Sequence, residues 1–190
     1  FVHNMISVVM PTYKRANLIG RSIESIISQT YTNWELIIVD DNPYDSENRK
    51  ATANVVEAYS DSRIKYVKNK CNIGGAQSRN MGIAIARGEY IAFLDDDDVY
   101  LPNKLQIQIQ AMQLNDWDVC VMDGATYSAE DESLISIRHQ RITSEMSIEE
   151  LKRMHLMFHI SGTNTFMYKS IFLKSIGGFE DVSGIKKRRY

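Results

Sequence analysis

The sequence has few cysteines, little net charge and no long apolar run. Its 190 residues include two cysteines, Cys71 and Cys120, too few for a disulfide framework and consistent with a reducing compartment. No segment approaches the ~20 consecutive apolar residues that a membrane-spanning helix needs. The net charge of −2 argues against a general nucleic-acid binder, whose domain is usually basic. We therefore expect an ordinary globular protein with no nucleic-acid partner.

Several familiar nucleotide-binding motifs are also missing. No Gly-x-Gly-x-x-Gly follows the first apolar run at 6–10, which disfavours a dinucleotide-dependent dehydrogenase, and no P-loop motif is present. Pro11 and Thr12 follow that run in place of the aspartate that an aspartyl phosphatase would need there. The Gly-rich, Arg-bearing loop of sugar nucleotidyltransferases is absent as well.

Short apolar runs instead alternate with amphipathic segments through about residue 123. This alternation predicts an α/β fold with a doubly wound, mostly parallel sheet. The predicted strands are 6–10, 34–39, 64–67, 90–94 and 118–122, and the predicted helices are 17–29, 48–59, 76–87 and 103–114. Beyond residue 123 the pattern is less regular, with a hairpin or excursion at 125–137, a capping-box helix start at 147–150, a strand at 165–168 and a short helix at 170–176.

Four consecutive carboxylates follow the 90–94 run, whose five apolar residues predict a strand buried on both faces. Adjacent negative charges repel one another, so a bound cation is a physical reason to keep them together. Oxygen ligands of this kind suit a hard divalent ion such as Mg²⁺ or Mn²⁺. A solvated acidic turn is the alternative.

Polar residues also follow the other predicted strands. In an open parallel sheet, ligands bind outside the carboxyl ends of the strands. Those ends carry 11–13, 40–42, 69–72 and 95–98, which are rich in carboxylate, amide and hydroxyl groups. The convergence predicts a metal-assisted site for a phosphorylated ligand.

Several segments, taken in order, resemble the inverting family 2 glycosyltransferases of the GT-A fold. They are 8–15 (Val-Val-Met-Pro-Thr-Tyr-Lys-Arg), 25–31, 35–41, 72–74, 78–82 and 88–98, and Gly-Gly-Phe-Glu at 177–180 resembles a later motif of the family. The resemblance implies a Rossmann-like GT-A domain over residues 1–190. About 1–123 would bind the nucleotide-sugar, and about 124–190 would form a less regular acceptor region that is truncated at its C-terminus.

The resemblance also implies a function. Family members transfer a sugar from a nucleoside-diphosphate sugar, expected here to be a UDP-sugar, to a saccharide or lipid-linked acceptor with inversion, using Mn²⁺ or Mg²⁺. Such a role in cell-surface polysaccharide synthesis implies a cytoplasmic location at the inner membrane face, with peripheral membrane association. The alternatives are a nucleotide-sugar-binding module without transfer activity and a nucleotidyltransferase on a similar fold.

The family's Asp-x-Asp motif falls within the four carboxylates. It implies Asp97 as the closest metal ligand and Asp95 as the supporting one, with Asp96 facing the donor sugar or ribose. Asp98 is interpreted either as support for these ligands or as a helix-start residue.

The nucleotide itself is assigned to other strand ends. The resemblance implies that Asp41 contacts the uracil and that Arg79 reaches the nucleotide or diphosphate. Pro11, Thr12 and Tyr13 would line the base and ribose pocket. The alternatives are turn chemistry for 40–41, a core position for Tyr13 and a surface ion pair for Arg79.

The catalytic base is the remaining element of the site. Inverting transfer needs a carboxylate that takes the acceptor proton, and the resemblance places it several residues after Gly-Gly-Phe. Asp181 is the candidate within this sequence, whereas the favoured interpretation places the base beyond Tyr190; a catalytically crippled protein is the third alternative. The basic cluster at 186–189 is either a solvated tail or a contact for diphosphate or an anionic membrane surface.

Overall fold

Strands and helices alternate along the first two thirds of the chain. The computed structural model describes residues 1–128, 130–131, 133–139, 146–147, 150 and 162–180. Its strands are β1 Val2–Thr12, β2 Trp34–Asp40, β3 Ile64–Lys68, β4 Gly88–Phe93, β5 Val119–Val121, β6 Gly124–Tyr127, β7 Leu134–Arg138 and β8 Phe166–Lys169. Its helices are α1 Ile19–Ile27, α2 Glu47–Glu57, α3 Gly75–Ile85, α4 Lys104–Asn115 and α5 Ser170–Ser175, and a 3₁₀ turn covers Thr163–Thr165.

Among the described residues, six strands form one sheet in the order β3-β2-β1-β4-β8-β5. The pairs β1–β2, β2–β3 and β1–β4 are parallel. The chain therefore adds strands on one side of β1 as far as β3 and then crosses to the other side for β4. This reversal creates a crevice at the carboxyl ends of β1 and β4, the place where open α/β sheets bind ligands.

The α/β prediction with a doubly wound, mostly parallel sheet is confirmed, and one detail differs. The predicted fifth strand does not lie beside β4, because β8 returns from the C-terminal region and pairs antiparallel with both β4 and β5. The 163–169 segment is thereby carried between β4 and the edge strand β5, next to the acidic loop that follows β4.

Helices cover both faces of the sheet. Val8 and Met10 of β1 pack in the core layer that holds α1 and α4, whereas Val9 packs with α3 and α5 on the opposite face. The approach of α3 to β1 is close, because a Cβ atom at Gly82 would lie 2.3 Å from Val9 Cγ1. This packing fixes the height at which α3 presents its first turn to the carboxyl edge of the sheet.

The C-terminal region agrees with the predicted elements where it is described. The predicted hairpin forms as β6 and β7, a separate two-stranded antiparallel ribbon. The predicted capping box is confirmed by reciprocal bonds, since Glu150 N–H donates to Ser147 Oγ at 3.3 Å and Ser147 N–H donates to Glu150 Oε2 at 2.8 Å. Within the described ranges, none of the helices combines the length and apolar character needed to cross a bilayer.

Candidate functional site

A cavity of about 440 Å³ opens at the carboxyl edge of the sheet, at the crevice between β1 and β4. It collects side chains from the ends of the first four strands and from the start of α3. The lining residues are Pro11, Thr12, Tyr13, Arg15, Asp41, Asn72, Gly74, Gly75, Ser78, Arg79, Asp95 and Asp96. Seven of the eight described residues predicted for the site therefore lie around one cavity; Asp97 is the exception.

The acidic loop after β4 presents its carboxylates to two arginines. Arg79 Nη2 lies 2.5 Å from Asp95 Oδ1, and Arg15 Nη1 lies 2.7 Å from Asp97 Oδ2 and 3.1 Å from Asp96 Oδ1. The side chains of Asp95 and Asp97 are 33% and 39% exposed, so both keep access to solvent and to a ligand. Two guanidinium groups thus offset the charge of three neighbouring carboxylates.

Asp96 also lines the cavity but is much less exposed than Asp95 and Asp97. It is buried and accepts hydrogen bonds from Tyr13 N–H at 3.3 Å and from Arg15. Burial raises the pKa of Asp96 above its ordinary value, against the lowering effect of the nearby Thr12 hydroxyl and of the hydrogen bond from Arg15. Asp96 therefore ties the loop after β1 to the loop after β4 and sets the shape of the crevice between them.

Asp98 faces away from this cavity and does not start a helix, because α4 begins at Lys104. Its carboxylate accepts a hydrogen bond from Asn164 Nδ2, and its carbonyl accepts one from Ser22 Oγ at 2.7 Å. Burial and the neighbouring charge of Asp97 raise the pKa of Asp98. Of the two interpretations of Asp98, support of the acidic loop agrees with these contacts.

The two acids at the carboxyl end of β2, Asp40 and Asp41, have separate roles. Asp40 is fully buried and accepts hydrogen bonds from Asn42 N–H at 2.8 Å and from the Tyr66 hydroxyl, beside the Arg49 guanidinium at 3.3 Å. Burial and the bond to Asp40 raise the pKa of Tyr66. Asp40 therefore stabilises the loop that follows β2.

Asp41 lies on the cavity wall, but its carboxylate is also engaged in holding the loop before α3. It accepts from Asn69 Nδ2, Ile73 N–H and Gly74 N–H, each at 2.9 Å. A carboxylate that already accepts three hydrogen bonds has about one lone pair left for a ligand. Asp41 is thus a rigid, partly used acceptor at the point where the resemblance places the uracil.

Tyr13 is not a core residue, since it is 40% exposed. Thr12 beneath it is buried, at the last position of β1. The two residues give the cavity a polar floor and an aromatic rim, which suits a ligand with a flat base and a polar sugar.

The glycosyl transferase family 2 model matches residues 7–175 of the chain. The chain belongs to glycosyl transferase family 2.

Family 2 relatives occur in several bacteria and archaea. An Escherichia coli protein, UDP-Glc:alpha-D-GlcNAc-diphosphoundecaprenol beta-1,3-glucosyltransferase WfgD, is 42% identical over 111 residues, which cover 58% of this chain and 42% of WfgD. An uncharacterized glycosyltransferase of Methanocaldococcus jannaschii is 34% identical over 90% of this chain and 58% of its own length. The chain spans about half the length of the curated relatives that it matches.

Solved structures share the GT-A architecture. Staphylococcus aureus TarS in complex with UDP-GlcNAc has a TM-score of 0.72 at 21% identity, covering 93% of this chain and 48% of that one. The mannosyltransferase PcManGT from Pyrobaculum calidifontis, in complex with GDP-Man and Mn²⁺, has a TM-score of 0.65 at 19% identity, covering 92% and 47%. At these identities the likeness concerns the fold, and it confirms the GT-A prediction.

The Gly-Gly-Phe motif of this family 2 chain is fastened beside the acidic loop. Asn80 clamps Phe179, because its Nδ2 donates to the Phe179 carbonyl at 2.8 Å and its Oδ1 accepts the Phe179 N–H at 2.9 Å. Gly178 has φ of 73°, and a Cβ there would lie 2.5 Å from Asn80 Oδ1. The Phe179 ring meets Phe93 at the end of β4 edge-on, at 5.0 Å between ring centres. The chain after Phe179 therefore starts from the edge of the candidate site.

The remaining C-terminal predictions lie outside the described residues. These are Asp181 as candidate base and the basic cluster at 186–189. Glu180, the last described residue, is exposed.

The acidic loop fits a divalent ion through the chemistry of its donors. In the described part of the chain, no group of three or more His, Cys, Asp or Glu side chains is placed to hold a metal by itself. Mg²⁺ sites in nucleotide enzymes, however, are usually built from one or two carboxylates and the substrate phosphates. Asp95 and Asp97 supply two exposed carboxylates, and each already pairs with a cationic side chain.

The sequence prediction for the site missed Arg15. The residue lies in the loop three positions after Thr12, and its guanidinium lines the cavity and contacts the acidic loop. Opposite charge was the available signal, because a cation after β1 and a run of acids after β4 reach the same edge of the sheet.

Proposed function

We propose that this chain is the donor-binding region of a glycosyltransferase that moves a sugar from a UDP-sugar to a saccharide or lipid-linked acceptor with inversion. One observation carries the proposal: the cavity at the β1–β4 crevice joins the acidic loop, two arginines and a polar base pocket. The UDP-Glc donor named for WfgD and the UDP-GlcNAc bound to TarS support a UDP-sugar as the donor.

In this proposal Pro11, Thr12, Tyr13 and Asp41 hold the uridine, and Arg79 faces the diphosphate. Arg79 lines the cavity from the first turns of α3, and guanidinium groups suit phosphate oxygens because they can bind two at once. Tyr13 is exposed on the rim, so its ring is available to cover a base.

Asp95 and Asp97 would hold Mn²⁺ or Mg²⁺, with Asp97 closest, and Asp96 would lie beside the sugar or ribose. The bound ion offsets the negative charge that builds on the leaving diphosphate as the sugar bond breaks. Mn²⁺ in the PcManGT complex supports this choice of ion. Inversion requires a single attack by the acceptor hydroxyl on the face opposite the leaving group, with a carboxylate such as Asp181 taking its proton.

The two-part layout of the domain follows from the same assignment. Residues 1–123 would bind the nucleotide-sugar, and residues 124–190 would shape the acceptor side. The β6–β7 ribbon and the Phe179 turn support this division, since the turn is joined to the site through Asn80 and Phe93. An acceptor linked to a lipid would be presented at the inner face of the membrane.

The proposal is tested by titrating UDP into the chain by calorimetry, with Mn²⁺ and then with EDTA. We expect binding that needs Mn²⁺ and that exceeds the binding of GDP. Asp97→Asn is expected to weaken Mn²⁺-dependent UDP binding at least tenfold and to lower transfer, measured as UDP release with saccharide acceptors, by about 100-fold. The matched control is Asp116→Asn at the C-cap of α4, where φ of 53° suits asparagine.

Three outcomes are informative. Intact Mn²⁺-dependent UDP binding and transfer in Asp97→Asn would contradict the proposed metal site. Mn²⁺-dependent UDP binding by the wild-type chain without UDP release from any UDP-sugar would favour the alternative, a nucleotide-sugar-binding module. Pyrophosphate release from a nucleoside triphosphate would favour a nucleotidyltransferase.

A further inference from the structure

The guanidinium of Arg15 lies across two carboxylates of the acidic loop. Its Nη1 atom is 2.7 Å from Asp97 Oδ2 and 3.1 Å from Asp96 Oδ1. Asp97 is the residue proposed as the closest metal ligand. Arg15 therefore occupies, with its own positive charge, an oxygen that a divalent ion would use.

The backbone that carries Arg15 is firmly held. Lys14 adopts a left-handed conformation with φ of 59°, and its N–H donates to Asn42 Oδ1 at 2.9 Å. Asn42 is itself buried and bonded to Asp40 at 2.8 Å. The Arg15 carbonyl accepts the N–H of Ile19 at 3.2 Å as α1 begins. Arg15 thus contacts the acidic loop from a backbone that is fixed by hydrogen bonds.

The side chain of Arg15 is much freer than its backbone. It is 47% exposed, and its partner Asp97 is 39% exposed. Ion pairs with this exposure contribute about 0–1 kcal/mol. Arg15 can therefore leave Asp97 at small cost, provided that another cation takes its place on the carboxylate.

The cavity supplies a second partner for the released side chain. Arg15 lines the same cavity as Arg79 and the base pocket, where the proposed function places the diphosphate. Phosphate oxygens are good acceptors for a guanidinium. Exchange of Asp97 for a phosphate oxygen keeps Arg15 paired while the carboxylate becomes available to the metal.

We propose that Arg15 is an internal counter-ion of the acidic loop that couples metal binding to nucleotide binding. It holds Asp97 when the site is empty, and it transfers to the diphosphate when metal and nucleotide bind together. The inference rests on the proposed function. It means that Mn²⁺ alone binds weakly, because it must displace Arg15, and that UDP and Mn²⁺ raise each other's affinity by the same factor.

The test measures Mn²⁺ binding from the paramagnetic resonance signal of the free ion, without nucleotide and with saturating UDP. For Arg15→Gln we expect Mn²⁺ affinity without nucleotide to rise about threefold to fivefold, the equivalent of an exposed ion pair. The increase in Mn²⁺ affinity caused by UDP is expected to shrink in this variant. Lys14→Gln is the control, since it removes the same charge from a neighbour whose Nζ lies 4.9 Å from the Tyr13 ring centre.

If Arg15 only supported the loop, Arg15→Gln would bind Mn²⁺ more weakly than the wild-type chain. The direction of the change in Mn²⁺ affinity therefore distinguishes a structural role from the proposed one. If the wild-type chain binds Mn²⁺ with UDP but Arg15→Gln binds Mn²⁺ alone no more tightly, the inference is wrong and the proposed function stands. If the wild-type chain binds no Mn²⁺ even with UDP, the proposed metal site fails and the inference fails with it. An equal gain in Mn²⁺ affinity in Lys14→Gln would also overturn the inference, because the loss of one positive charge anywhere near the site would then explain the effect.

Arg15→Lys covers the case in which Arg15→Gln does not fold, as judged by circular dichroism. Lysine retains the charge as a compact ammonium, without the delocalised guanidinium whose Nη1 atom contacts both Asp96 and Asp97. We expect a Mn²⁺ affinity without nucleotide between those of the wild-type chain and Arg15→Gln. An affinity equal to or below that of the wild-type chain would contradict the proposal.

Discussion

Carboxylates pair with cations at both ends of the central strands, but only at the carboxyl end do the carboxylates remain accessible to solvent. At the amino end, Glu35 is 1% exposed and accepts from Ser7 Oγ at 2.6 Å and Arg87 N–H at 2.8 Å, with Lys65 Nζ at 2.8 Å and Arg87 Nε at 3.1 Å. At the carboxyl end, Asp95 and Asp97 are a third or more exposed. In the described part of the chain, each of these two acids has one arginine partner.

The difference shows that a charge pair alone does not mark a site. A carboxylate offers about four acceptor positions. The acceptor positions of Glu35 are taken by Ser7 of β1, Lys65 of β3 and Arg87 before β4. Its carboxylate therefore connects these three regions and has no acceptor position free for a ligand. Asp95 and Asp97 retain unused positions beside a cavity, and this spare capacity is what a metal and a diphosphate require.

The sharpest test of this comparison removes one carboxylate from each end. Glu35→Ala leaves the buried Ser7 hydroxyl and the Arg87 N–H without their acceptor, while the Lys65 and Arg87 side chains are 33% and 60% exposed and stay hydrated, so we expect the free energy of unfolding to fall by about 2–4 kcal/mol. Asp97→Ala breaks an exposed pair and is expected to change the free energy of unfolding by less than about 1 kcal/mol. Urea unfolding of both variants measures the two values. Equal losses would abolish the distinction between the two ends.

The dependence of stability on pH tests the amino end of this comparison, because the direction of the change follows from the pKa of Glu35. Burial alone would raise the pKa of Glu35, but bonds from Lys65, Ser7 and Arg87 lower it to about 2 from 4.5. The unfolded chain therefore binds the proton more tightly, so the stabilisation by Glu35 is complete above about pH 4.5 and is lost as the pH falls through about 2. Glu35→Ala should flatten the dependence of the free energy of unfolding on pH in this range.

Much of the carboxyl end could be predicted from the sequence because it depends on local patterns. Apolar runs located the strands, and the residue types that follow each run located the edge where Asp41 and Asp95 meet. The rule that parallel strands end at one edge then brought them together without knowledge of any contact. Arg79 was assigned to the site by the family resemblance alone.

The remaining features depend on partners distant in the chain. The insertion of β8 between β4 and β5 is a choice of pairing that no local period encodes. Arg15 contacts Asp96 and Asp97, which lie 81 and 82 residues further along the chain. Ser7 and Glu35, which form a hydrogen bond, are separated by 28 residues. The use of Asp41 to hold the loop before α3 depends likewise on backbone geometry that forms only in the fold.

A smaller effect is expected from the neutral partner of Glu35. The Ser7 hydroxyl is fully buried, donates to Glu35 Oε1 at 2.6 Å and accepts the Gly88 N–H at 2.9 Å. Ser7→Ala leaves that N–H without this acceptor, so we expect a loss of about 1–3 kcal/mol in urea unfolding. Ser28→Ala, at an exposed hydroxyl at the end of α1, serves as control and should be close to neutral. A neutral Ser7→Ala would mean that the amino end is less completely bonded than the geometry indicates.

Lys104 extends the comparison to a buried cation with a different kind of partner. It is 8% exposed, its Nζ donates to Gln108 Oε1 at 2.5 Å, and it lies 3.9 Å from the Tyr100 ring centre. Across the residues that the structure describes, no carboxylate lies within ion-pair distance of Lys104. Burial lowers the pKa of Lys104 to about 7. Glu35 is thus stabilised in its charged form, and Lys104 in its neutral form.

Lys104→Met is therefore expected to stabilise the chain, by on the order of 1 kcal/mol at pH 6. Between about pH 7 and 10.5 the unfolded chain binds more protons than the folded one, so wild-type stability rises with pH across this window, and the gain from Lys104→Met should shrink correspondingly. Urea unfolding at pH 6 and pH 9 measures both effects, with Lys70→Met as the exposed control. A destabilised Lys104→Met at pH 6 would mean that the ammonium is compensated in the fold, and the contrast with Glu35 would then disappear.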